Sequence, residues 1–213
     1  MVGEVRCVDL DTGVTRWNFA EEIGERSLKS AMVIAGDQII VSLTSGVVVA
    51  LDADSGEVVW KIKLEGKLNT TTVVIGEEFY VGDVEGRIHR VSPTDGKLLG
   101  TIEGKGPVYG SLLEAGDCLL ALWGEDTLSC LDPKSGVARW DQQTDATWSS
   151  FQPLILDDVV IVGTDAGDLH AFSLEDGATA WTRRLDGEIK GLGTHAEVLY
   201  VGTVEGRVYA VPL

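Results

Sequence analysis

The chain has 213 residues, 44% hydrophobic and 24% charged, and a formal charge of −17 from 34 acidic against 17 basic residues. That apolar fraction suits one folded domain and excludes a disordered chain, while the acidic excess argues against nucleic-acid or anionic-membrane binding, which needs Lys and Arg in surplus. No run of 18 apolar residues is present, so no helical membrane insertion is expected.

Residues 1–6 show no basic segment leading into an apolar core, so no signal peptide is read here. The chain is then cytoplasmic if this terminus is native, and periplasmic or extracellular if a leader has been removed. A repeat begins at once. It covers residues 3–20, 46–64, 86–104, 126–144 and 167–185, with a short sixth copy at 206–213. The turn glycines Gly13, Gly56, Gly96, Gly136 and Gly177 are spaced by 43, 40, 40 and 41 residues. Trp17, Trp60, Trp140 and Trp181 keep the same beat, and Gly100 stands where the third copy should carry Trp.

In chain order the first copy predicts two strands, named C and D, at 4–10 and 14–19. The polar connection at 21–28 is the longest and should protrude. Next comes an apolar hairpin turning at Gly36-Asp37, a strong signal between β-branched runs. The following period shows all four strands: A at 69–75, B at 78–82, C at 86–91 and D at 97–102. Strand A is rich in small residues, as an innermost strand must be. The whole order is C-D, four times A-B-C-D, then A-B-C, which makes 21 strands. Four strands per period of about 40 residues is the arithmetic of a propeller blade. The expected fold is all-β: a single domain over 1–213, a β-propeller of about five four-stranded antiparallel blades. With strand C coded at both ends, we expect a closed five-bladed ring. Its last blade takes strand D from the N-terminus, and the surplus C strand is displaced or joins a second molecule as a homo-oligomer. The rival is an open fragment of a larger ring.

The C–D junction is clearest at Ala50-Leu51-Asp52-Ala53-Asp54-Ser55-Gly56-Glu57-Val58-Val59-Trp60. Asp52 can accept backbone N–H groups two or three residues on, Gly56 supplies a positive φ, and Trp60 can donate its indole N–H to a carbonyl of the neighbouring blade. This string, A-x-D-x-x-[TS]-G-x-x-x-W, resembles the tryptophan-docking motif of PQQ-type repeat propellers. Residues 7–17 and 130–140 match with Cys for Ala. Residues 171–181 have Ser173 for Asp and Asp176 for Thr or Ser, and residues 90–100 keep only Gly96 of the key positions. The resemblance implies a propeller over the whole chain. It implies two functional precedents: quinone-dependent dehydrogenases, and an outer-membrane assembly lipoprotein that works through protein contacts.

The dehydrogenase precedent needs a metal ion, the quinone, an Asp base and adjacent cysteines. No Cys-Cys pair or haem motif is present, so no catalytic residue, metal site or cofactor is assigned. His89 and His170 fall at equivalent places of two C strands, where Val49 and Tyr209 stand in others, and read as strand-face residues. His195 should lie exposed in an A–B turn. The three cysteines lack metal spacing. With a B–C turn centred near Gly124-Glu125, Cys118 faces Leu131 and Cys130 faces Leu119, on opposite sides of the sheet, so free thiols are expected. The third and fourth copies depart most from the rule, with Asp126 for the opening Gly and the extra aromatics Tyr109, Trp123, Trp148 and Phe151. These four form a candidate interaction patch, weighed against local packing. The functional expectation is a non-catalytic scaffold with a protein partner. The alternative is a small-ligand or quinone-binding redox protein using the channel mouth, or part of a larger propeller enzyme.

Overall fold

The computed structural model describes residues 4–20, 32–108, 110–148 and 152–212. The predicted connection at 21–28, Tyr109 and Phe151 lie outside the described residues. The chain divides into two compact units, Met1–Val108 and Tyr109–Leu213. The first unit contains β1 (Glu4–Val8), β2 (Thr15–Ala20), β3 (Val33–Ala35), β4 (Gln38–Ser42), β5 (Val47–Asp52), β6 (Val58–Lys63), β7 (Val73–Ile75), β8 (Glu78–Gly82), β9 (Arg87–Val91) and β10 (Leu98–Glu103). The second contains β11 (Leu113–Ala115), β12 (Cys118–Trp123), β13 (Thr127–Leu131), β14 (Ala138–Gln143), β15 (Leu154–Leu156), β16 (Val159–Gly163), β17 (Asp168–Ser173), β18 (Thr179–Arg184), β19 (Ile189–His195), β20 (Val198–Thr203) and β21 (Val208–Pro212). The described residues thus form 21 strands and no helix, in the expected order.

Each full set is a four-stranded meander: β3 to β6 and β7 to β10 in the first unit, β11 to β14 and β15 to β18 in the second. These are the blades of a β-propeller. The middle strands B and C are the most buried, and in β5 and β12 they read as continuous apolar runs; every residue of β12 is buried. The outer strand D is half-solvated and alternates, as in β6. The two-residue A–B turns need a positive φ at their first position, met by glycine at Gly36 and Gly76 and adopted by Ala196 at 53°. His195, at the end of β19, is exposed.

Three expectations are corrected. Strand A is shorter than 69–75, because Thr70 Oγ1 accepts the Gly82 N–H at 2.9 Å and so takes over the ladder bond there. Among the described residues the end copies form separate sheets, β1–β2 of two strands and β19–β20–β21 of three, rather than one hydrogen-bonded set. The described residues thus give four complete four-stranded blades besides these two shorter sheets. The third correction is register. Leu120, not Leu119, faces Cys130, and the B–C loop runs over Gly124, Glu125 and Asp126. One residue of slip turns every side chain over. Cys118 therefore shares a face with Cys130, and the two form a disulfide with Cα atoms 5.6 Å apart. Cys7 is free.

Apolar clusters sit between neighbouring sheets of each unit. In the first, Ile40, Val48, Trp60, Phe79 and Val81 pack together, with Trp60 stacked on Phe79 at 6.0 Å. In the second, Cys118, Leu120, Trp140, Trp148 and Phe172 do the same.

Candidate functional site

The C–D turn is built first by Asp52, whose Oδ1 accepts the Ser55 N–H and the Ser55 hydroxyl, both at 2.8 Å, and the Asp54 N–H at 3.2 Å. The Ser55 hydroxyl and amide hold the Asp52 carboxyl below its ordinary range, and Thr12 does the same for Asp9. Gly56 then turns the chain at φ 74°, and a Cβ there would lie 2.6 Å from the ring of Trp17. That ring comes from the preceding sheet, and its indole N–H donates to the Ala53 carbonyl at 3.0 Å. Trp60 repeats the contact on the Pro93 carbonyl at 2.7 Å, and Trp140 on the Leu174 carbonyl at 3.0 Å. The acceptor stands three residues before the turn glycine, Gly56, Gly96 or Gly177, each time. Gly13 and Gly136 turn their own copies at φ 69° and 71°. Trp181 packs partly buried against the cluster around Ile189 and Leu199.

The copies that break the motif keep the turn. Ser92 and Ser173 stand in the Asp position, while Asp95 and Asp176 stand in the hydroxyl position; carboxylate and hydroxyl have traded places. Asp95 and Asp176 accept the N–H two residues on, at 3.2 and 3.0 Å. Gly100 also has a different partner from the tryptophans it replaces. Across the strands Ala50 faces Trp60, Cys130 faces Trp140 and Ala171 faces Trp181, but Arg90 faces Gly100. A Cβ at Gly100 would be 3.5 Å from Arg90 Nη1. The guanidinium is gripped by Glu78 at 3.0 and 3.1 Å, and Glu78 also accepts the Tyr80 hydroxyl at 2.9 Å. Burial and the Glu78 charge push the Tyr80 phenol up to about 12.

Of the aromatic patch read from the sequence, Trp123 and Trp148 are core residues rather than exposed ones. Trp123 donates to Ser129 Oγ at 3.0 Å, and Ser129 donates to Asp141 at 2.5 Å. Trp148 is 2% exposed and meets His170 edge-on at 6.3 Å. His170 stacks on Phe172 at 5.9 Å, and burial pushes its pKa down, which suits a neutral strand-face residue. His89 lies beside the buried Asp83, Nε2 to Oδ2 at 3.0 Å. Asp83 also accepts the Glu85 and Arg87 N–H groups and Arg87 Nε, at 3.0, 2.9 and 2.8 Å. Its place in the B–C turn is held in the last two sheets by Thr164 and Thr203, whose hydroxyls accept the N–H four residues on. Asp83 is thus a turn cap whose charge Arg87 offsets. Among the described residues no group of three or more His, Cys, Asp or Glu could hold a metal ion.

The accessible chemistry lies elsewhere. Every C–D pairing carries a bulge one residue before the Trp position, so Val59 and Leu99 drop out of the ladder and point to solvent. Leu99 lines a cleft of about 630 Å³ in the first unit, formed by residues 35–38, Val74, 76–78, 92–94 and Leu99 itself. Sequence reasoning missed these aliphatics; the signal was an apolar pair such as Val58-Val59 or Leu98-Leu99 where simple alternation allows one.

Compared with known proteins, the chain matches the family described as outer membrane protein assembly factor BamB over residues 2–107 and again over 84–212. It is 22% identical to the BamB of Yersinia pestis over 98% of this chain and 59% of that protein. It is 25% identical to the BamB of Pseudomonas aeruginosa over 81% of this chain and 47% of that protein. The solved structure of BamB from Moraxella catarrhalis superposes with a TM-score of 0.78 at 25% identity, covering 99% of this chain and 65% of that one. The chain spans about half to three fifths of the length of these two curated relatives.

Proposed function

Because the chain belongs to the outer membrane protein assembly factor BamB family, we propose that it is a non-catalytic propeller module that binds protein partners during outer membrane protein assembly. One observation carries this reading. The polar groups suited to chemistry, Asp83, His89, Ser129 and Asp141, are used in turns and strand pairs, while Val59 and Leu99, aliphatic residues at two of the strand bulges, are exposed on an acidic chain. We place the module in the periplasm. The disulfide between Cys118 and Cys130 supports an oxidising compartment, and no described helix is long and apolar enough to cross a membrane.

The test is removal of the chain from its cell, with outer-membrane proteins quantified by mass spectrometry. Their levels should fall together; unchanged levels reject the reading. A homo-oligomer is a second reading, favoured by β21, which among the described residues pairs with β20 and no other strand, and whose Val208 is 76% exposed. Sedimentation across a concentration series decides it, and a monomer throughout rejects it.

A further inference from the structure

The cleft of about 630 Å³ in the first unit has walls set by backbone. The A–B turn at Gly36-Asp37 is fixed because the Asp37 carbonyl accepts the Ala53 N–H at 2.9 Å. The opposite wall is fixed because the Pro93 carbonyl accepts the Trp60 indole at 2.7 Å. Both bonds belong to the repeat's own docking, so the cleft is preformed.

Its lining is of two kinds. Asp37, Glu77 and Glu78 supply three carboxylates, and no Lys or Arg lines it. Arg90, which does not line the cleft, is engaged by Glu78, so the exposed Asp37 and Glu77 set the sign of the field at the mouth. The chain's charge of −17 reinforces it. Lys97 is exposed nearby in sequence but does not line the cleft. The apolar part is Val74 and Leu99. Leu99 is 41% exposed because the bulge skips it, Leu98 pairing with Val91 and Gly100 with Arg90. Its chain neighbour Leu98 is 49% exposed, and Ile34, next to the lining residue Ala35, is 71% exposed. A bulge that turns an aliphatic side chain toward a cleft is a recurrent device at binding sites.

We propose that this cleft is a docking site for a protein segment carrying Lys or Arg beside aliphatic side chains. The cations meet Asp37 and Glu77, and the aliphatic groups cover Leu99 and Val74. Carboxylates exclude a phosphate-bearing ligand, and the exposed aliphatics give a purely polar cation nothing to bury. The inference rests on the binding-module reading and names the partner's chemistry.

The experiment uses the full chain and a fluorescent peptide alternating Lys with Val and Leu, followed by anisotropy. The expected result is binding that weakens as salt is raised. Affinity should drop about tenfold in the D37N/E77Q variant and severalfold in Leu99→Ser. Glu103→Gln, an acidic control outside the cleft, should bind as the parent does. Matching melts for all variants show that folding is intact. No binding of the parent peptide overturns the proposal. So does an unchanged affinity in D37N/E77Q, or equal binding of a peptide with Ser in place of Val and Leu. If the peptide binds but the cleft variants have no effect, this surface falls and the binding-module reading stands. If the cleft variants weaken binding while loss of the chain leaves outer-membrane proteins unchanged, the reading falls and the surface stands.

Discussion

In the blade β3 to β6, Ala50 faces Trp60 across the outer pair of strands; in the blade β7 to β10, the same two positions hold Arg90 and Gly100. Both blades keep the turn, the turn glycine and the bulge. In the first, the large member sits on strand D and its indole ties the blade to the Pro93 carbonyl of the next. In the second, the large member sits on strand C and turns inward to Glu78 and Tyr80 of its own blade. The pair's bulk is preserved with its order reversed, while Gly100 brings no indole of its own. Space filling and docking are therefore separable jobs of the motif.

The comparison breaks most visibly at Trp60. Trp60→Ala removes a buried aromatic and its cross-blade bond, and should cost about 3–5 kcal/mol in a denaturant titration. Trp148→Ala, also buried, should cost a comparable amount; a loss below about 1 kcal/mol would place Trp148 outside the core after all.

Cys130 extends the comparison, since it is the small partner of Trp140. Reduction of its bond to Cys118 should lower stability by about 2–3 kcal/mol, the usual scale for closing a short loop. Titration of the denatured, unreduced protein should find one thiol, from Cys7; three would show that the bridge is not made.

The reversed pair can be turned back. Gly100→Trp alone puts an indole where only a Cβ has ordinary contact room beside Arg90, and should cost about 1–3 kcal/mol. Adding Arg90→Ala should recover part of that loss, with a coupling of about 1 kcal/mol or more in the double-mutant cycle. Strict additivity would show that the two positions do not share one space.

The smallest effect is one the two blades share. Asp52 is held low by Ser55, and Asp95 by the Ser92 hydroxyl, both from an ordinary value near 3.8. A carboxyl whose folded pKa is depressed contributes fully above its unfolded value and loses that contribution as pH falls through the folded one. Melting temperature should thus hold above about pH 5 and decline below about pH 4. Both groups are solvent-exposed, so Asp52→Asn should flatten the acid limb only slightly. An identical acid limb in Asp52→Asn would remove the turn from the account of acid sensitivity.

The repeat period, the strands of each copy and the chemistry of the C–D turn were legible in the residues, because each is decided within about ten positions. Ser173 with Asp176 looked like a degraded motif because a string comparison does not see that a hydroxyl and a carboxylate can exchange ends of one turn. Trp123 and Trp148 looked like surface candidates because aromatic side chains carry the same signal in a core and at an interface.

What tertiary structure alone decided follows from register and from neighbours distant in sequence. One loop residue more between β12 and β13 put Cys118 and Cys130 on one face, and no local propensity records that step. Arg90 fills the space at Gly100 because Glu78, twelve residues away, holds it there. Leu99 reaches the cleft because a bulge takes it out of the alternation, and the cleft exists because hairpins of two different repeats stand side by side. The amino-acid order determined the blades; which side chains the blades hide and which they offer was settled by how strands register and sheets pack.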